Sequence, residues 1–268
     1  MQDLRITLIQ TDILWEDVPA NLDRFGHLIE RIKEPTDLIL LPETFNTGFS
    51  IDPVHFAEDM HGKSMQFLKR MAQVHKTAIM ATLLIREGND FYNRLVCFFP
   101  DGRFETCDKR HLFRLSDEFR LLKPGQTRPV IRVKGWKIFP MICYDLRFPV
   151  WSRNSWSKGE YGYDLIVCLA NWPASRSSVW KTLLTARAIE NQSYIAGVNR
   201  IGRDGHGTAH TGDSMVADAK GNLLYIAGES TEEVRTVTLS ASELTSFRSS
   251  FTVGMDWDPF NLIMKKQP

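Results

Sequence analysis

The chain lacks a long apolar run, an excess of one charge and a paired-cysteine motif. No segment approaches the roughly 20 consecutive apolar residues of a membrane-spanning helix. The opening MQDLRITLIQ has no basic n-region, and Arg5 and Gln10 break its apolar stretch, so it does not read as a signal peptide. Lysine and arginine total 33 against 32 aspartates and glutamates, a net charge of +1. With no block of like charge, binding nucleic acid through a general electrostatic field is not expected. The four cysteines, Cys97, Cys107, Cys143 and Cys168, include no C-x-x-C pair. Without a secretory signal they read as reduced thiols, which points to the cytoplasm. Internal repeats, low-complexity tracts and linkers are also missing. With 43% hydrophobic residues there is enough for a substantial core, and residues 1–268 read as one domain.

What is present is an alternation of apolar runs and helical stripes. DLRITLIQ at the start, DLILLPE (37–43), TAIMATLLI (77–85), KIFPMIC (137–143), YDLIVCLAN (163–171) and YIAGVNRIG (194–202) read as strands. NLDRFGHLIERIK (21–33) places Leu22, Phe25, Leu28, Ile29 and Ile32 on one stripe, and 64–76 and 179–191 are also helical. RLVCFFPDGRFETCDK (94–109) turns at Asp101-Gly102 and SMVADAKGNLLYIAG (214–228) at Lys220-Gly221-Asn222, both as hairpins. EEVRTVTLS (232–240) closes the sheet-forming part. This is an α/β class with mixed sheets. Two sheets packed face to face and a single doubly wound sheet are both compatible with the pattern.

Three buried-looking strands finish on reactive groups: Glu43, Cys143 and Asn171. A fourth delivers Asp108 and Lys109. Sites in α/β sheets gather at the carboxyl ends of strands, so these ends are able to surround one pocket. A carboxylate there can take the thiol proton, and a nearby ammonium favours the thiolate. The ammonium and a backbone N–H can then stabilise the oxyanion formed when sulfur attacks a carbonyl or nitrile carbon. Each residue also has a plainer reading. A cysteine ending a strand is ordinarily a small core residue, and a glutamate is ordinarily a surface group. Spacing alone leaves both readings open.

LLPETF, CDKRHLF and MICYDLRFPVW, followed by ANWPASRSSVWKTLLTARAIENQSYIAGVNRIG, resemble in order the blocks of the nitrilase superfamily of carbon–nitrogen hydrolases. The resemblance extends to about residue 240. It implies a four-layer αββα sandwich with two mixed β-sheets and a Glu–Lys–Cys triad: Glu43 as general base, Lys109 as oxyanion stabiliser and Cys143 as nucleophile. Glu118, shortly before Pro124-Gly125, falls where the family has a second glutamate, and the Tyr144 N–H would complete the oxyanion hole. The triad needs no metal or organic cofactor. The family pattern also implies a homodimer or higher homo-oligomer, with the tail (about 251–268) at the dimer interface.

The segments CYDLRFPVWSRN and NWPASRSSVW, in a chain with no added domain, are most similar to the omega-amidase branch. The resemblance implies hydrolysis of the terminal amide of 2-oxoglutaramate or 2-oxosuccinamate to the acid and ammonia, through a cysteine thioester. A small amide of that type carries a distant carboxylate. Arg176 is the candidate to bind it and Trp172 an apolar wall, while Arg147 reads as a scaffold group paired with carboxylates. His206 and His210 lie in a glycine-rich loop able to border the pocket, with no third ligand for a metal. Rival readings are an N-carbamyl amine or amino acid amidohydrolase, an aliphatic amidase, a non-catalytic interaction module retaining the fold, and a thiol-redox protein.

Overall fold

The strand Leu4–Gln10 sends Leu4, Ile6 and Leu8 to one face and Ile9 to the other, and both faces are buried. Burial on two sides is the mark of a strand inside a layered α/β molecule. The computed structural model describes residues 1–263. It contains two six-stranded sheets. Across the first run Glu233–Leu239, Leu4–Gln10, Leu38–Leu40, Ala78–Glu87, Asp90–Phe98 and Phe104–Asp108. Across the second run Leu223–Ile226, Met215–Ala217, Tyr194–Asn199, Leu165–Ala170, Trp136–Ile142 and Ile131–Val133. Each sheet holds three neighbouring parallel strands flanked by antiparallel ones.

The inner faces form a common core in which Ile6, Leu8 and Leu40 meet the layer of Ile138, Val167 and Val198. Outside the first sheet, Phe25, Leu28 and Ile29 of helix Val18–Glu30 and Phe67 and Leu68 of helix Lys63–His75 cover Ile39 and Ile79. Outside the second, Trp180 and Leu184 of helix Ser177–Asn191 cover Ile166 and Ile195. A Cβ on Gly197 would strike Leu184 and Trp180, so the bare backbone lets that helix approach. The layers are therefore helix, sheet, sheet, helix: the four-layer αββα sandwich rather than one doubly wound sheet.

The elements depart from the sequence reading in three places. The first helix starts at Val18 rather than 21, because Asp17 accepts a hydrogen bond from the Ala20 N–H (3.1 Å) and Pro19 suits the first turn. The strand expected over 37–43 covers only Leu38–Leu40, and Glu43 lies in the turn that follows. The strand expected over 194–202 breaks at Arg200, whose side chain is buried against Asp12, and Ile201–Arg203 pairs instead with Ala209–Thr211. Both hairpins form about the expected turns. Along the tail, Trp257 packs edge-on against Tyr161 of the same chain, while Phe251, Met255 and Phe260 stay exposed. The remainder of the expected interface tail, 264–268, lies outside the described residues.

Candidate active site

Glu43, Lys109 and Glu118 come from three separate stretches of chain and meet with their side chains almost wholly buried. Lys109 Nζ donates to Glu43 Oε1 and to Glu118 Oε1, each at 2.9 Å. Glu43 Oε2 accepts the Asn171 N–H at 2.8 Å, and Asn171 Nδ2 donates back to the Glu43 carbonyl at 2.6 Å. Glu118 Oε2 accepts the Phe113 N–H at 2.6 Å, tying the lysine cluster to the loop that walls the cavity. Strand ends from both sheets thus converge, as the sequence suggested. Asp108 is the exception. It turns away to form an ion pair with Arg94 (2.6 Å), because successive residues of a strand point to opposite faces.

Cys143 follows the strand Trp136–Ile142 and opens a short 3₁₀ turn, Cys143–Arg147. Its φ is 44°, a left-handed backbone that costs a non-glycine residue about 1–2 kcal/mol. Asp145 holds this turn closed. One carboxylate oxygen accepts the Ile142 N–H (3.1 Å), and the other accepts both the His111 N–H and a contact from His111 Nδ1, at 2.8 Å each. Asp145 therefore ties the turn carrying Cys143 to the segment carrying Lys109. The thiol is half-buried and reaches the cavity. Tyr144 also faces the cavity, and as the second residue of the turn its N–H has no partner within it.

Burial pushes the Cys143 thiol well up, the Glu43 charge pushes it further, and Lys109 offsets only part of this. At rest the sulfur therefore carries its proton. The ammonium favours the thiolate, as expected of it, but the desolvation of the site outweighs that pull. Burial alone would strip Lys109 of its proton, but the charges of Glu118 and Glu43 prevail and hold it as an ammonium. Burial also raises Glu118, against the pull of Lys109 and with the push of Glu43.

The cavity beside the thiol encloses about 700 Å³. Trp172 lines it, buried, with its indole N–H donating to the Arg176 carbonyl (2.9 Å). Arg176 lines it too, its guanidinium 5.7 Å from the centre of the Phe113 ring. Arg147 is not the carboxylate-paired scaffold that the sequence suggested. Its guanidinium lies 4.9 Å from the centre of the Trp172 ring and faces the same cavity. Among the described residues neither arginine forms an ion pair with a carboxylate. His206 and His210 also border the cavity, and among the described residues no group of histidines, cysteines and carboxylates is arranged to hold a metal. Sequence reasoning missed Asn93, whose amide touches Glu43 and Glu118. The hairpin register carried the signal for it, since Arg94 pairs with Asp108 and so sets Asn93 against Lys109.

A family model for carbon-nitrogen hydrolases matches residues 5–249. The chain belongs to this family. As a carbon–nitrogen hydrolase it is 40% identical over 264 residues to the omega-amidase YafV of Escherichia coli strain K12, covering 98% of this chain and 100% of that one. It is 32% identical to the 2-oxoglutaramate amidase of Bacillus subtilis, over 92% of this chain and 95% of that one. Among solved structures it superposes with a TM-score of 0.95 on XC1258 from Xanthomonas campestris, a CN-hydrolase superfamily protein bearing an arsenic adduct in its active site. That pair is 42% identical over 98% of this chain and 100% of the other.

Proposed function

We propose that this carbon–nitrogen hydrolase is an omega-amidase, which removes the terminal amide of 2-oxoglutaramate or 2-oxosuccinamate as ammonia. The observation that carries the reading is the pairing, in one cavity, of a thiol beside the Glu43–Lys109–Glu118 cluster with two guanidiniums that have no carboxylate partner among the described residues. End-to-end likeness to omega-amidases supports it.

In the reaction, Glu43 takes the proton of Cys143 as sulfur adds to the amide carbon. Burial favours the neutral thiol, so attack needs this base. The oxyanion is held by the Lys109 ammonium and the Tyr144 N–H. Glu43 then gives its proton to the amide nitrogen, ammonia leaves, and a thioester remains on Cys143. Water attacks the thioester with Glu43 again as base, releasing the dicarboxylic acid and returning the proton to sulfur. Glu118 holds Lys109 from the far side and, through Phe113, fixes the wall that the substrate meets. The substrate carboxylate reaches Arg147 and Arg176, with Trp172 as an apolar wall of the cavity. No step requires a cofactor.

We read residues 1–268 as one domain acting as a homodimer in the cytoplasm. The core shared by the two sheets, the four free cysteines and the exposed apolar groups of the outer layer and tail support this. The test of the activity is ammonia release from a substrate panel. The oxo-acid amides are expected to exceed glutamine, asparagine, N-carbamyl amino acids, aliphatic amides and nitriles by about a hundredfold or more in kcat/KM. Comparable rates on N-carbamyl compounds would overturn the assignment in favour of a carbamyl amidohydrolase.

A further inference from the structure

Asn93 sits on the strand Asp90–Phe98, fully buried, where it meets Glu43, Lys109 and Glu118. Its carbonyl accepts the Lys109 N–H at 2.9 Å, fixing the backbone from which that lysine projects. Its side-chain Nδ2 donates to Glu43 Oε1 at 2.9 Å and to Glu118 Oε1 at 3.3 Å, the same two oxygens that Lys109 Nζ bridges. Two carboxylate oxygens are thus held between one ammonium and one amide. The cluster holds two acidic side chains against one cation, so the amide dipole is the second positive pole. The amide orientation has a cost, because Asn93 Oδ1 is buried with no hydrogen-bond partner. Turning the amide over would aim that oxygen at both carboxylates, which is worse.

We propose that Asn93 is a positioning residue of the hydrolysis, holding the Glu43 carboxylate at a fixed distance from Glu118 and Lys109. The proposal rests on the reading of Glu43 as the general base. Removing a donor from a carboxylate favours its neutral form. The other charged or titratable groups acting on this cluster are Lys109, Cys143, Cys168 and His210.

The test compares wild type with Asn93→Ala and Asn93→Ser, each checked for an unchanged fold by circular dichroism and melting temperature. For the best amide of the panel, kcat is expected to fall about 10- to 100-fold while KM changes little. The acidic limb of kcat/KM is expected to move up by about one pH unit in Asn93→Ala and by less in Asn93→Ser, whose hydroxyl restores one donor. The acidic limb of Cys143 alkylation by iodoacetamide, where the rate rises as Glu43 becomes able to take the thiol proton, should move in the same direction. This second readout needs no substrate, so it separates failure of the omega-amidase assignment from failure of the role of Asn93. An acidic limb and an alkylation profile that stay in place in a folded Asn93→Ala overturn the proposal, even if activity falls.

Discussion

At the scale of single residues, chemistry and burial pull in opposite directions, and the site depends on which prevails. Lys109 remains charged in a place where a lone lysine would lose its proton, because two carboxylates touch its ammonium. His210 has no such support. Burial, helped by the Arg200 charge, lowers its pKa to about 4. Between that value and its ordinary pKa near 6.5 the unfolded chain binds a proton that the folded one refuses, so stability rises with pH through this window. Urea unfolding is expected to show a loss on the order of 3 kcal/mol on going from pH 7 to pH 4 from this group, and a flatter pH profile in His210→Gln. Arg147 offers the complementary case of a charge that faces a cavity rather than a partner. A charge-assisted hydrogen bond to a substrate carboxylate contributes roughly 1.5–3 kcal/mol. Arg147→Met should therefore raise KM for an oxo-acid amide about 10- to 100-fold with a smaller change in kcat. Steady-state kinetics check this, and an unchanged KM would remove Arg147 from the binding site.

At the scale of elements, reactive groups stand in the turns just beyond strands, where the backbone departs from regular geometry. Cys143 and Thr44, the residue next to Glu43, both have left-handed backbones, with φ of 44° and 43°. Asp145 clasps the first turn, while the Thr44 N–H donates to Thr82 Oγ1 at 2.7 Å in the second. Gly125 does the corresponding work behind Lys109. Its N–H donates to the Lys109 carbonyl at 2.8 Å, and a Cβ there would collide with the carbonyl oxygen of Asp108. Gly125→Ala has to push the strand end that carries the lysine. The expected result is a loss of about 1–3 kcal/mol in denaturant stability together with a fall in kcat. A variant of wild-type stability and turnover would show that the close approach is not needed.

At the scale of the whole molecule, the two sheets bury each other and leave the outer helices as the faces open to a partner. Val150, on the short helix Pro149–Ser152, is 59% exposed, and Ile189, on helix Ser177–Asn191, is 51% exposed. Phe251 and Met255 of the tail are exposed as well. Light scattering on the purified protein is expected to give twice the monomer mass of 30.8 kDa. Ile189→Asp should shift that equilibrium toward monomer, since an unpaired charge is costly in an apolar interface. A monomeric wild type at micromolar concentration would overturn the dimer.

Much of this could be read before any tertiary structure. Glu43, Lys109 and Cys143 each stand just beyond an apolar run, where the chemistry of strand ends made them candidates and their motif context made them a triad. The strand–helix alternation, the two hairpins and the helical stripes follow from local periodicity, which depends on side chains a few residues apart. What stayed hidden was set by contacts across long stretches of chain. Asn93 looks like any polar residue in a strand until pairing sets it against Lys109 and the turn after Leu38–Leu40 brings Glu43 to its amide, 50 residues away in sequence. Arg147 read as scaffold because nothing local shows whether a guanidinium will meet a carboxylate or a cavity. How strongly burial pushes the Cys143 thiol up was hidden too, since the motif lists its neighbours and says nothing of how much water is excluded around them. The sequence by itself determined which groups are candidates for the chemistry and which strands carry them, because identity and periodicity are local. Tertiary structure alone decided their charge states, their supports and the shape of the cavity, because desolvation and distance arise only when the two sheets close on each other.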